Sequence, residues 1–264
     1  HGARILRTKT LIFAVLAVMT TGDFAVLRTS VDGTGNCAHL LYGQDAAVPA
    51  DRLAGDKRTV RPEWLGTTEG LTDDVPAPWT PVSVKGSNVN CWDRTYGFSQ
   101  GPLPAEVVTR SASVLAGPIR LTGQAQNTTL AWTGGQSRVT GQKPAHAILS
   151  GQAAATGLQL SGETLIEYDG MIRCDLTLTP AQGKATIQEL TLEIPLKPEH
   201  ARYLYHFPGR WGSVSNSAYL PQGGWQNPFK PFVWLGDEDR GFAWFCESDR
   251  NWFPLDNKTA LTIE

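Results

Sequence analysis

A short acidic stretch near the end of the chain carries the densest set of side chains that could do chemistry. Asp237, Glu238 and Asp239 are followed directly by Arg240. Two carboxyl groups flanking a sugar bond are the usual machinery of glycoside hydrolysis, and a guanidinium can bind polar ligands. The same residues also suit a hairpin turn, in which Arg240 pairs with a neighbouring carboxylate. Both interpretations are open, and we treat Asp237, Asp239 and Arg240 as candidate carbohydrate contacts.

Three aromatic residues form a second candidate site. Trp211, Tyr219 and Trp225 lie within residues 208–231, a segment rich in Gly, Pro, Asn and aromatics that we predict to be a long loop. Aromatic rings can cover the apolar C–H face of a sugar, and loops often carry binding residues. In a carbohydrate-binding module, the three rings would line one exposed ridge or groove. In the alternative, they hold the loop onto the domain.

A third interpretation makes the chain an enzyme complete in itself, such as a sugar epimerase. It needs a histidine and a carboxylate in one cleft, and the set that fits is His200, His206 and Glu247. The sequence has no G-x-S-x-G, P-loop or H-E-x-x-H motif. We therefore predict no catalytic residue, no metal site and no cofactor.

Charge and cysteine content limit the partners. The 23 Lys and Arg residues nearly balance the 25 Asp and Glu residues, and the net charge of −2 argues against a nucleic-acid-binding protein. The four cysteines, Cys37, Cys91, Cys174 and Cys246, form no C-x-x-C pair, so a structural zinc site is not expected. We expect unpaired thiols, with two disulfides as the alternative.

The N-terminal segment 1–60 has the outline of a secretory signal followed by an unassigned polar stretch. Arg4, Arg7 and Lys9 precede an apolar run at residues 11–19 and then small residues. The run is too short to span a membrane as a helix. We expect export to the periplasm or the extracellular space, and the alternative is an ordinary buried strand or helix of the domain.

From residue 61 to residue 264 the sequence alternates between short apolar strands and turns. The clearest pattern, at residues 163–180, has period two on both sides of Asp169-Gly170 and predicts an antiparallel hairpin. One short helix is predicted at residues 198–207. Because each sheet must bury one face, we predict an all-β fold, a large antiparallel β-sandwich that is supersandwich-like and has long loops. The chain stops within a strand pattern at Glu264, so we expect a truncated piece of a longer protein.

Several segments, in order, resemble the N-terminal domain of proteins similar to glycoside hydrolase family 123. The most distinctive is PFVWLGDEDRGFAWFCESDRNW at residues 231–252. Shorter matching segments are RPEWLG at 61–66, PWTP at 78–81, CWDR at 91–94, EYDG at 167–170 and IPLKPEHA at 194–201.

The resemblance implies a non-catalytic β-sandwich that precedes a (β/α)8 barrel in the same polypeptide. In that family the reaction resembles retaining hydrolysis of N-acetylgalactosaminides, with the substrate's acetamido group as nucleophile and an Asp-Glu pair assisting. Those carboxylates belong to the barrel, so Asp237 and Glu238 are not that pair. We expect an accessory domain that braces the downstream barrel and lines its substrate cleft, with a stand-alone carbohydrate-binding module as the alternative.

Overall fold

The computed structural model describes residues 66–68, 72–209, 217–246, 249, 252 and 259–264, together with the backbone of three strands between residues 4 and 30. Nearly all regular structure in these residues is antiparallel β-strand, which confirms the predicted class. In chain order the strands are β1 (Arg4–Leu6), β2 (Lys9–Leu16), β3 (Ala25–Ser30), β4 (Ser83–Lys85), β5 (Asn88–Cys91), β6 (Arg94–Gly97), β7 (Glu106–Thr109), β8 (Ala112–Ser113), β9 (Arg120–Ala125), β10 (Thr128–Thr129), β11 (Thr133–Gln142), β12 (His146–Ala155), β13 (Leu158–Glu167), β14 (Met171–Pro180), β15 (Ala185–Leu196), β16 (Tyr203–Phe207), β17 (Ser217–Tyr219), β18 (Trp225–Asn227), β19 (Phe232–Gly236), β20 (Gly241–Phe245) and β21 (Leu261–Ile263).

The described strands form three sheets. The seven-stranded sheet has the order β10-β9-β15-β3-β21-β18, with β1 also paired to β15. The nine-stranded sheet has the order β11-β12-β13-β14-β2-β20-β19-β16-β17, and β4 to β8 form a five-stranded sheet. The arrangement is propeller-like, which corrects the expectation of a two-layer sandwich.

Alternation within a strand indicates that one face of the sheet is buried, but it does not specify which element of the fold covers that face. The loop between β6 and β7 lies against the inner face of the nine-stranded sheet. A Cβ atom added to Gly151 would come within 2.4 Å of the Pro102 backbone nitrogen. The Thr164 hydroxyl also donates a hydrogen bond to the Pro102 carbonyl. The five-stranded sheet is thereby anchored on the larger one.

The hairpin predicted around Asp169-Gly170 is confirmed as β13 and β14, with Ile166 opposite Ile172. Gly170 has a φ of 94°, and the Asp169 carboxylate accepts a hydrogen bond of 2.9 Å from the Met171 backbone N–H. The loop has three residues, so it differs from the two-residue type I′ turn. The face predicted to be buried is buried, at Thr164, Ile166, Ile172, Cys174, Leu176 and Leu178.

The helix predicted at residues 198–207 is wrong. Only Pro198–His200 forms a single 3-10 turn, and residues 203–207 form β16. Tyr, Leu, Tyr, His and Phe alternate with period two, and aromatic residues favour strands. Burial follows that alternation, because Leu204 and His206 are buried while Tyr203 and Tyr205 are half-buried. The predicted loop at 208–231 also contains two short strands, β17 and β18.

Part of the N-terminal segment lies inside the large sheets. Strand β2 pairs with β14 on one side and β20 on the other. Strand β3 pairs with β15 and β21. This is the placement of an ordinary strand of the domain, while export stays a prediction. Among the residues that the structure describes, no helix is long and apolar enough to cross a membrane.

Cys91, Cys174 and Cys246 are buried and form no disulfide, which confirms the expectation of thiols for these three residues. Burial raises the pKa of Cys91 to about 11 and that of Cys174 to about 12. Both groups are therefore neutral thiols at physiological pH. Cys37 lies outside the described residues.

Candidate functional site

The acidic stretch forms the turn between β19 and β20, as one of the two interpretations predicts. Gly236 pairs with Gly241, and the Asp237 backbone N–H donates to the Arg240 carbonyl at 3.2 Å. The Asp237 carboxylate accepts a hydrogen bond of 2.8 Å from the Asp239 backbone N–H. Asp237 is only 8% exposed. Its carboxyl group therefore holds the turn together from inside.

The neighbouring carboxyl groups of Asp237 and Glu238 have pKa values shifted in opposite directions. Burial and the neighbouring Glu238 charge raise the pKa of Asp237. A hydrogen bond from the Tyr203 hydroxyl lowers the pKa of Glu238. Asp237 therefore keeps its proton more readily and Glu238 loses its own more readily.

Glu238 also belongs to a cluster of side chains at the surface, which we call the Tyr219 face. Its members are Arg202, Tyr203, Tyr219 and Glu238. The Glu238 carboxylate lies 3.2 Å from the Arg202 Nη1 atom. The Arg202 guanidinium lies 5.3 Å from the centre of the Tyr203 ring and 5.5 Å from that of Tyr219. The two tyrosine rings are 5.0 Å apart, and Tyr219 is 62% exposed. The face combines aromatic surface with one hydrogen-bond acceptor and one donor group.

Strand pairing places the aromatic rings of this face together. Tyr203 lies opposite Tyr219, and Tyr205 lies opposite Trp234. Residues two apart on a strand share a face, so the four rings lie on the same side of the sheet. They line a shallow cavity of about 360 Å³ together with Ser217.

The predicted aromatic ridge is divided by the sheet. The Trp225 ring lies 5.2 Å from the ring of His206. His206 follows Tyr205 on β16 and so points to the opposite side of the sheet from the Tyr219 face. Trp225 also packs against the hydrophobic core. Trp225 and Tyr219 therefore do not share a surface, and Trp211 lies outside the described residues.

Asp239 and Arg240 point in different directions from the turn. The Asp239 carboxylate lies 3.8 Å from Arg110 Nη1, which belongs to the turn between β7 and β8. Arg240 is half-buried, and its Nε atom has no hydrogen-bond partner among the described residues.

Burial is the main cause that lowers the pKa of the nearby His200, and the Arg240 charge lowers it further. Both effects favour the neutral form of His200, while Glu247 lies outside the described residues.

A larger cavity of about 690 Å³ lies on the outer face of β11 to β14. Its lining is polar and includes Arg138, Glu163 and Asp175. Glu163 lies directly opposite Asp175, whose carboxylate is 3.0 Å from Arg173. None of the candidate residues lines it, and it holds no aromatic ring. Within the described part of the chain, no group of three or more His, Cys, Asp or Glu side chains could hold a metal ion.

Sequence reasoning did not select Arg202, Tyr203 or Glu238 as candidate contacts, although they surround Tyr219. The sequence pattern that could have identified Tyr203 is the period-two alternation of residues 203–207. Reading that segment as a strand would have put Tyr203 and Tyr205 on one face.

Comparison with known proteins gives one match. The family model described as "Glycoside hydrolase 123, third domain" matches residues 82–258. A search of curated proteins and a search of solved structures each found no match. The matched domain is described as the third of the family, whereas the sequence resemblance implied an N-terminal one. Since the match covers well over half of the chain, this protein belongs to glycoside hydrolase family 123.

Proposed function

We propose that this chain is an accessory domain of a larger glycoside hydrolase and that its Tyr219 face contacts carbohydrate. The observation that carries the proposal is the exposed Tyr219 ring, packed on the half-buried Tyr203 ring beside the Arg202–Glu238 ion pair. A sugar ring has apolar C–H faces and a rim of hydroxyl groups. The tyrosine rings would cover a C–H face, while the carboxylate accepts and the guanidinium donates hydrogen bonds to the hydroxyls.

The polar contacts of the turn support a binding role over a hydrolytic one. Each carboxylate of the turn already has a polar neighbour. Asp237 accepts a hydrogen bond from a backbone N–H, and Glu238 forms an ion pair with Arg202. Asp239 lies 3.8 Å from Arg110. Carboxylates that assist hydrolysis must instead reach the scissile bond and its neighbouring groups. In this proposal the hydrolytic carboxylates belong to a (β/α)8 barrel of the same polypeptide, which the domain braces. The bound sugars are N-acetylhexosaminides, the substrate class that the family resemblance implies.

A glycan-array measurement on the full chain tests this proposal. We expect specific binding that Tyr219→Ala weakens about tenfold, the factor that corresponds to 1.4 kcal/mol. Tyr219→Phe keeps the ring and should keep most of the affinity. Phe207→Ala is a matched control, because Phe207 is 52% exposed but lies four residues further along β16 from Tyr203.

The outcomes separate three functions. Binding that Tyr219→Ala and Phe207→Ala reduce equally would overturn the assignment of the Tyr219 face. A folded chain that binds no glycan would overturn carbohydrate contact and leave only the bracing role. A chain that binds glycans with full affinity outside any hydrolase polypeptide would favour the alternative, a stand-alone carbohydrate-binding module.

A further inference from the structure

Trp92 occupies an unusual position at the tip of the hairpin formed by β5 and β6. Cys91 pairs with Arg94, so Trp92 and Asp93 are the two residues of the turn. Trp92 has a φ of 37°, in the left-handed region. This region favours glycine and disfavours bulky L residues, because their Cβ atom crowds the backbone. A tryptophan therefore occupies a backbone conformation that glycine would adopt more easily.

Burial does not explain the tryptophan. Trp92 is 43% exposed and is absent from the hydrophobic core. Its described ring contact is an edge-to-face contact with Trp79, with ring centres 6.0 Å apart. Such a contact covers at most one face of each ring. Trp92 therefore presents indole surface to solvent at a site where neither the turn nor the core requires it.

Two half-buried rings lie beside this surface, and one of them, Tyr168, packs against the hydrophobic core. Trp79 makes a second edge-to-face contact, with Tyr168 at 5.8 Å. We call the three rings, Trp79, Trp92 and Tyr168, the Trp92 ledge. Polar groups border it, since Asp93 is exposed and the Arg94 guanidinium donates a 3.1 Å hydrogen bond to the Asp169 carbonyl. Aromatic surface bordered by polar groups fits a sugar, which has apolar C–H faces and a rim of hydroxyl groups.

The ledge is connected to the Tyr219 face through two contacts. The Asp93 carbonyl accepts a hydrogen bond of 2.9 Å from the Arg110 backbone N–H. The Arg110 guanidinium reaches the Asp239 carboxylate at 3.8 Å. Asp239 directly follows Glu238 of the Tyr219 face. The turns between these two aromatic surfaces therefore form a continuous polar strip.

We infer that the Trp92 ledge is a second sugar-stacking subsite, so that the ligand is an oligosaccharide that extends from the Tyr219 face. The inference rests on the proposed function, because it takes carbohydrate as the ligand. The stacked sugar lies on the exposed indole of Trp92. Asp93 accepts hydrogen bonds from its hydroxyl groups.

Replacing the tryptophan by glycine gives a sharp test, because glycine suits the left-handed backbone and removes the ring. Trp92→Gly and Trp92→Asn are made in the full chain, since asparagine also tolerates this conformation. Binding is measured by calorimetry with N-acetylgalactosamine and N-acetylglucosamine oligomers of increasing length. We expect both variants to unfold at or above the wild-type midpoint. Both should lose about tenfold in affinity for the longer oligomers and bind the single sugars as the wild type does.

The results distinguish this inference from the proposed function. A lower unfolding midpoint with unchanged affinities would make Trp92 a structural contact and overturn the subsite. Loss of binding in Tyr219→Ala alone would overturn the subsite but leave the proposed function intact. Loss in the Trp92 variants alone would keep the ledge as a sugar site and overturn the Tyr219 face. A folded wild-type chain that binds none of these sugars would overturn both.

Discussion

At the residue scale, the turn at residues 237–240 shows that neighbouring carboxylates can have different roles. Glu238 faces outward and joins Arg202 and Tyr203, so its charge is stabilised. Asp237 faces its own turn, where burial and the Glu238 charge raise its pKa. Glu238 is available to a ligand, whereas Asp237 shapes the turn that presents it.

We predict that Asp237→Asn stabilises the protein at neutral pH. The folded-state pKa of Asp237 is raised, so its contribution is fully favourable below the ordinary Asp value of 3.8 and is lost as pH rises through the raised value. Asparagine keeps the oxygen that accepts the Asp239 N–H but carries no charge. We expect the thermal midpoint at pH 7 to rise by about 1–3 °C, and the gain to vanish near pH 3. Scanning calorimetry against pH measures this.

Asp239→Asn is the control for this variant. Asp239 is 65% exposed and lies 3.8 Å from Arg110, so its pair contributes little to stability. The midpoint should change by less than in Asp237→Asn. A lower midpoint for Asp237→Asn at pH 7 would show that the charge of Asp237 stabilises the turn.

At the element scale, a glycine pair in the middle of β12 and β13 lets two sheets approach each other. Gly151 lies opposite Gly162, and both face the loop that carries Pro102. A Cβ on Gly151 would come 2.4 Å from the Pro102 nitrogen, and one on Gly162 would come 2.9 Å from the Pro102 Cβ. These are backbone and ring atoms, which cannot rotate away as a flexible side chain would. The two strands therefore need residues without a side chain at this point.

We predict that Gly151→Ala destabilises the fold by at least about 2 kcal/mol, within the range for overpacked sites. Gly141→Ala is the matched control on the adjacent strand. Its Cβ would meet the Ile148 side chain at 3.5 Å, an ordinary contact, and no left-handed φ is involved. Urea denaturation of both variants measures the difference. Equal midpoints would mean that the loop at Pro102 moves freely away from the sheet.

At the scale of the whole molecule, the N-terminal strands join elements that lie far apart in sequence. Strand β2 lies between β14 and β20, and β3 lies between β15 and β21. Removing them would divide the nine-stranded sheet into two parts and leave unpaired strand edges. The fold boundary therefore includes part of the segment before residue 61.

We predict that a chain lacking residues 1–30 does not fold cooperatively. The exposed edges of β14, β20, β15 and β21 should cause aggregation, visible by size-exclusion chromatography and as loss of a single urea transition. A chain lacking residues 1–3 is the control, because it keeps all three strands. If the chain lacking residues 1–30 stayed monomeric and kept the wild-type urea midpoint, the N-terminal segment would lie outside the domain, as a secretory leader would.

The antiparallel β class, the hairpin at Asp169-Gly170 with its buried face, and the family could be predicted from the sequence alone. For residues 237–240 the sequence offered a hairpin turn as one of two interpretations. These properties depend on local alternation and turn chemistry, which short stretches of sequence carry. The folded structure was needed to show that three sheets form and that Tyr219 and Trp225 lie on opposite sides of one of them. It also decided that Tyr203 and Glu238 meet. The physical reason is that these features depend on pairings between strands distant in sequence, which alternation within one strand does not specify.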